Sequence, residues 1–155
     1  MNKISPGLDI GKTLKQQRVQ VLLDKIQKQI NLEFHEDALK NLQELLNYRT
    51  KSMKPEIAFQ IADCLYQLHK YKTCLSLLES IVTDEHRKLP MIQNLKGQCY
   101  IRMGNLDKAI DHFEMCLVID PKFKVANNNL GNIYLQQKDY SKSKIYFEKS
   151  KKRKL

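Results

Sequence analysis

The side chains with the widest choice of chemistry are spread thinly through this sequence. The four histidines, His35, His69, His86 and His112, are scattered, each at a turn or an outward helix step. Asp107 and Asp111 stand one turn apart, but at a helix start this is ordinary complementation of the helix dipole. Glu114, a turn further on, reads as solvated. No Gly-rich phosphate loop, GxSxG, HExxH or DxD cluster occurs. The four cysteines, Cys64, Cys74, Cys99 and Cys116, form no CxxC pair and have no metal-like spacing to the histidines. No catalytic residue, metal ligand or cofactor is therefore expected, and the chain reads as a non-enzyme. What remains is amide and ammonium chemistry. Asn128, Asn129 and Asn132 crowd one short stretch, and each amide offers both a donor and an acceptor. Lysines gather near the C-terminus.

That gathering is uneven enough to matter. The formal charge is +10, yet residues 1–121 hold 17 Lys+Arg against 15 Asp+Glu, whereas residues 122–155 hold 10 against 2. Lys138, Lys142 and Lys149 fall near one helical face, continued by Lys151, Lys152, Arg153 and Lys154. Three readings stay open: a solvated cap, attraction to an acidic protein partner through the long-range field, or nuclear import and nucleic-acid association. Few aromatics are interleaved to stack bases, which weighs against reading of a nucleic-acid sequence. Hydrophobic content of 42% with 28% charged residues is ordinary for a soluble protein. No apolar run nears the roughly 18 residues of a membrane span. Met1 to Lys12 lacks the apolar core of a secretory signal, so reduced thiols and a cytoplasmic or nuclear location are expected.

The elements that must position these residues show helical periodicity throughout. Val19, Leu22, Leu23, Ile26 and Ile30 follow helix spacing, as do Ala38, Leu42 and Leu45 after a break near Asn31 to Phe34. Pro55 and Pro90 suit the first turns of helices. Gly104-Asn105 reads as a turn, and Asp120-Pro121 as a stop. Helices are expected at about 91–103, 107–119, 123–136 and 140–152, giving roughly eight in all and no strand. A pattern also recurs after 34 residues. Gly97 falls on Gly131, Tyr100 on Tyr134, Leu106 on Tyr140, Ala109 on Ser143, Phe113 on Phe147 and Cys116 on Ser150. A fixed period with matched small and aromatic steps marks a stacked repeat, whose units bury apolar faces only against neighbours.

Residues 90–150 resemble tetratricopeptide repeats. That unit favours Gly at step 8, Tyr at 11, Gly at 15, aromatics at 17 and 24, small residues at 20 and 27, and Pro at 32. Counting from Pro90 as step 1, the chain has Gly97, Tyr100, Gly104, Leu106, Phe113, Ala109, Cys116 and Pro121 there. A weaker unit begins at Glu56, with Asp63 in place of the glycine and a turn one residue short. The resemblance implies an all-α, right-handed solenoid of antiparallel helix pairs. It comprises a flexible lead-in at 1–12, a single repeat domain over 13–152 and a basic tail at 153–155. Within the domain, a degenerate pair spans about 19–48, followed by repeats at 56–83, 90–123 and 124–152. Steps 21 and 28 face the next repeat in such arrays. They are Leu75 and Val82, then Ile110 and Leu117, then Lys144 and Lys151. The change to lysine is expected to cap the array, with no further repeat stacked there.

The resemblance also implies a concave groove lined by the first helix of each pair. Its expected polar lining is Gln60, Gln67, Asn94, Gln98, Arg102, Asn128, Asn129, Asn132 and Gln136, with Met91, Ile101, Val125 and Leu135 between. Such a row of amides can pair with the backbone of an extended peptide. The run Asn128 to Asn132 is similar to the asparagine ladder of O-linked GlcNAc transferase, over one repeat only. The two-carboxylate clamp of chaperone adaptors is not expected, because Gln60, Cys64, Leu95, Val125 and Asn129 stand where it requires Lys, Asn, Asn, Lys and Arg. The implied function is a non-catalytic adaptor that binds a protein or peptide partner, as a monomer or within a hetero-complex. The alternatives are a structural subunit of a ciliary, cell-cycle or trafficking assembly, and a nuclear or nucleic-acid-associated factor acting through the basic end.

Overall fold

A computed structural model describes residues 10–47, 55–80 and 89–151. The first nine residues of the lead-in, residues 48–54, residues 81–88 with Val82 and His86, and the tail residues Lys152, Arg153 and Lys154 lie outside them. The described residues form eight helices and no strand: α1 (Ile10–Asn31), α2 (His35–Asn47), α3 (Pro55–Gln67), α4 (Tyr71–Ser80), α5 (Pro90–Arg102), α6 (Leu106–Ile119), α7 (Lys124–Gln136) and α8 (Tyr140–Lys151). α1 starts inside the expected lead-in. Gly11 does not stop it, since a glycine weakens a helix by only about 1 kcal/mol.

The chain divides into two compact units, Met1–Leu68 and His69–Leu155. The division falls between α3 and α4, inside the repeat expected at 56–83. That repeat matches the pattern less well than the two after it, with Asp63 at the glycine step and a shortened turn.

In the first unit α1 packs on both α2 and α3. Leu23 and Ile26 of α1 are buried with Ala38, Leu42 and Leu45 of α2 and Ala58, Ile61, Ala62 and Leu65 of α3. Asn41 Nδ2 donates to Gln29 Oε1 at 2.7 Å, which ties α2 back to α1.

In the second unit α5 packs on α6, α6 on α7, α7 on α8 and α4 on α5. One core joins Ala109, Phe113 and Cys116 of α6 to Ala126, Leu130, Ile133 and Tyr134 of α7, with Ile110 and Leu117 packed against it. These last two are the steps expected to face the following repeat. Their counterparts on α8, Lys144 and Lys151, are exposed.

The period is visible in the atoms. A Cβ at Gly97 would lie 2.7 Å from Phe113 Cε1, and one at Gly131 would lie 2.7 Å from the Phe147 ring. Each ring lies directly on the helix backbone at its glycine, so the two steps are one device. Ser143, at a step otherwise filled by Ala109, is accommodated because its hydroxyl donates to the Gly131 carbonyl at 2.9 Å. The turns repeat too. Gly104 has φ 75° and its counterpart Lys138 has φ 61°, so Lys138 takes the left-handed backbone where its repeat lacks glycine. Asn105 and Asp139 then cap the next helices by accepting from the backbone N–H of Lys108 and Lys142.

Candidate functional site

The residues expected to line a groove fall in both units. Gln60 and Gln67 belong to α3 of the first. There Gln67 Nε2 donates to Asp63 Oδ2 at 2.7 Å, and Gln67 Oε1 accepts from Gln27 Nε2 at 3.1 Å. Gln67 is thus tied down, while Gln60 is exposed. Cys64 beside them is buried, and burial, aided by the Asp63 charge, pushes its thiol up to about 11.

The other seven belong to α5 and α7 of the second unit. On α7 the residues 125, 128, 129, 132, 135 and 136 form a single stripe at helical spacing. Asn128, Asn132 and Gln136 are exposed and Asn129 is half-buried. On α5, Arg102 is exposed, Gln98 half-buried and Asn94 only 8% exposed. Asn94 Nδ2 donates to Gln98 Oε1 at 3.3 Å. Asn94 Oδ1 and Asn129 Nδ2 are buried without a hydrogen-bond partner among the described residues, an uncommon state for buried polar atoms. Of the four apolar members of the stripes, Ile101 is half-buried and packs against the core, while the other three stay in water. Met91 is 42% exposed, and Val125 and Leu135 are 46% and 48% exposed. Met91 and Val125 occupy the same step of successive repeats.

Asn127 carries a role that the sequence pattern did not show. It is fully buried, and its Nδ2 donates to the carbonyls of Pro121 and Phe123 at 3.2 and 3.1 Å. It fastens the start of α7 to the turn between the repeats, and so fixes the phase at which Asn128 and Asn132 face outward. In the sequence it is one of three consecutive asparagines, and only its step number sets it apart.

A second repeated device was also unforeseen. Tyr100 stacks on His112 with centroids 5.3 Å apart, and Lys108 Nζ lies 5.4 Å from the Tyr100 ring. One period later Tyr134 stacks on Tyr146 at 5.5 Å, with Lys142 Nζ over Tyr134 at 4.8 Å and Lys149 Nζ over Tyr146 at 5.1 Å. Lys142 and Lys149 of the expected basic patch are therefore cations on aromatic faces, and Lys142 also pairs with Asp139 at 3.5 Å. Burial first, then the charge of Glu114, raises the hydroxyl pKa of Tyr134. Tyr146 is raised by burial and by Tyr134.

His112 Nδ1 donates to Gln93 Oε1 at 2.9 Å. Burial, then the nearby Lys96 charge, holds its imidazole below the usual range, with Asp111 and Glu79 opposing. A depressed folded-state value means the unfolded chain binds the extra proton more readily. The stabilisation from neutral His112 is thus complete above the ordinary imidazole value and declines as pH falls through the folded one. The urea midpoint of the wild-type chain is expected to drop between about pH 7 and pH 5 more steeply than that of His112→Asn. Parallel profiles would refute the assignment.

A repeat of antiparallel helix pairs defines the class of interaction scaffolds. Comparison with known proteins agrees. The family model described as anaphase-promoting complex, cyclosome, subunit 3 matches residues 31–116, and the tetratricopeptide repeat model matches residues 125–154. The chain belongs to the anaphase-promoting complex subunit 3 family of tetratricopeptide-repeat proteins. Tetratricopeptide repeat protein 1 of Schizosaccharomyces pombe is 22% identical over 104 residues, 66% of this chain and 10% of that protein. Anaphase-promoting complex subunit 3 of Dictyostelium discoideum is 32% identical over 78 residues, 48% of this chain and 8% of that one. The chain thus spans a small part of these relatives' lengths. Among solved structures, MamA from Desulfovibrio magneticus RS-1 superposes with a TM-score of 0.69 at 20% identity, covering 85% of this chain and 73% of that one. A tetratricopeptide repeat protein from Parabacteroides merdae gives 0.67 at 18% identity, covering 86% and 52%. The fold is all-α of the tetratricopeptide-repeat type, and the chain is a protein-interaction repeat module. No described helix is long and apolar enough to cross a membrane.

Proposed function

We propose that the chain is a non-catalytic adaptor whose second unit holds an extended segment of a partner protein along α5 and α7. The observation that supports this most is the exposure of Met91, Val125 and Leu135 among Asn128, Asn132 and Gln136. Side chains of the segment cover the apolar steps, and its backbone N–H and C=O groups pair with the amides, which can serve as donor or acceptor. Asn129 and Asn94 supply a further donor and acceptor when their side chains turn outward. The test is affinity capture with mass spectrometry, comparing wild type with Asn129→Ala/Asn132→Ala. Replacing an exposed amide and one with an unpaired donor should leave the fold intact, so specific partners should disappear while helicity persists. Equal recovery of partners by both chains would sink the reading.

The basic end adds attraction for acidic surface. Lys144 and Lys151 are exposed on α8, so an acidic partner should associate faster at low salt than at high salt. Deleting residues 151–155 is expected to flatten that salt dependence in stopped-flow association. An unchanged slope would leave the end as a cap only.

A second reading is favoured by the family model over residues 31–116 and by the Dictyostelium discoideum relative. In it the chain is a subunit of a larger assembly, with the same stripe filled by a neighbouring subunit. Size fractionation of a native extract separates the two. The adaptor elutes as a small species, alone or with one partner, whereas the subunit elutes with its complex.

A further inference from the structure

The four cysteines differ in a way that the adaptor reading does not use. All four are buried. Cys64 Sγ is 4.0 Å from the amide oxygen of Gln27, whereas Cys74 of α4 and Cys99 of α5 meet each other. Their Sγ atoms lie 3.5 Å apart across the packed α4–α5 pair, 25 positions apart in sequence, and both side chains are wholly buried. We infer that Cys74 and Cys99 are a modification site: a reversible disulfide that locks α4 to α5 when the chain meets a small-molecule disulfide oxidant.

A disulfide needs about 2.05 Å between sulfurs, so the pair must close by about 1.5 Å. Small side-chain rotations and a slight shift of two packed helices supply such a movement. The chemistry is thiol–disulfide exchange. The Cys99 thiolate attacks one sulfur of the oxidant R–S–S–R, forming a mixed disulfide and releasing one RS⁻, which takes up the proton lost by Cys99. The Cys74 thiolate then attacks Cys99 Sγ, the Cys74–Cys99 bond forms, and a second RS⁻ leaves and takes the proton lost by Cys74. Two protein thiols are oxidised and one small disulfide is reduced to two thiols.

The roles follow from the surroundings. The shared S–H···S bond with Cys74 holds the Cys99 thiol below its ordinary range against the opposing effect of burial, and the thiolate is the nucleophile. Burial, with Asp120 adding, pushes Cys116 up to about 12, and Cys64 is likewise raised. These two are built to stay thiols. Because both reacting sulfurs are buried, the oxidant reaches them only when the α4–α5 contact opens locally. The site also matters by position. Cys99 directly follows Gln98 on α5, the helix carrying Asn94 and Arg102, so the bond clamps that helix from behind.

The experiment oxidises the folded full-length chain with glutathione disulfide, alkylates the remaining thiols after unfolding, and maps the peptides by mass spectrometry. The expected result is a product lighter by two hydrogens before alkylation, with Cys74 linked to Cys99 and with Cys64 and Cys116 alkylated. Dithiothreitol should restore all four thiols, and the oxidised chain should melt several degrees higher, because the cross-link constrains the unfolded state. Alkylation of Cys74 and Cys99 as separate thiols, or their linkage to Cys64, Cys116 or a second chain, would overturn the proposal. Peptide mapping reads the wild-type chain directly, so the outcome does not depend on whether Cys99→Ser folds.

Discussion

Phe113→Ala is expected to lower the stability of the second unit by about 4 kcal/mol, read as a fall in the urea midpoint by circular dichroism. Phe113 has no exposed surface and is the largest of the fully buried side chains among the described residues. Its ring rests on the α5 backbone at Gly97 and meets the core formed with Ala126, Leu130 and Ile133. Truncation therefore removes the transfer contribution of the ring and opens a cavity between α5, α6 and α7 at once. A loss of that size approaches the whole stability of a typical domain, about 5–15 kcal/mol. Phe147→Ala, at the matching step, should cost distinctly less, because Phe147 is only half-buried at the last helix pair. Equal losses would mean that the two rings do not differ in packing as described.

Gly97→Ala should have the second largest effect, about 2–3 kcal/mol of destabilisation. The added methyl would stand 2.7 to 2.9 Å from three atoms of the Phe113 ring, far inside normal contact. A ring at the surface could swing away, but Phe113 is enclosed and cannot. Gly131→Ala meets the Phe147 ring at the same 2.7 Å, yet that ring has solvent on one side and can yield, so a loss nearer 1 kcal/mol is expected. Combining Gly97→Ala with Phe113→Leu should be less damaging than the sum of the single changes, since the smaller side chain relieves the overlap. Strict additivity in urea unfolding would contradict direct contact between the two steps.

Both partners of the glycine–phenylalanine device recur after one period and so were legible as matched steps, but that each ring lies on its glycine is seen only in the packed helices. Helix positions in the second unit were legible for the same reason, with Gly104-Asn105 and Asp120-Pro121 punctuating them. Other features needed the phase of one helix against another. Asn127, Asn128 and Asn129 are identical letters, yet one is buried and fastened to a turn, one is exposed and one lies between. Lys142 and Lys149 read as solvated charge until α7 and α8 are packed, when each proves to lie over a tyrosine. Cys74 and Cys99 approach each other from two helices, 25 positions apart in sequence and not at the 34-residue period, so no period announces the contact. The division between α3 and α4 was foreshadowed only by imperfection, in Asp63 and the shortened turn.

The central claim is that the amide stripe of α7 holds a partner's backbone, and titration calorimetry tests it most directly. Peptides selected from a displayed random library against the full-length chain would be titrated into wild type and into Asn129→Ala/Asn132→Ala. The account predicts a loss of about 2 kcal/mol, roughly thirtyfold in Kd, with unchanged thermal stability of the variant. An unchanged Kd on a folded variant would contradict it.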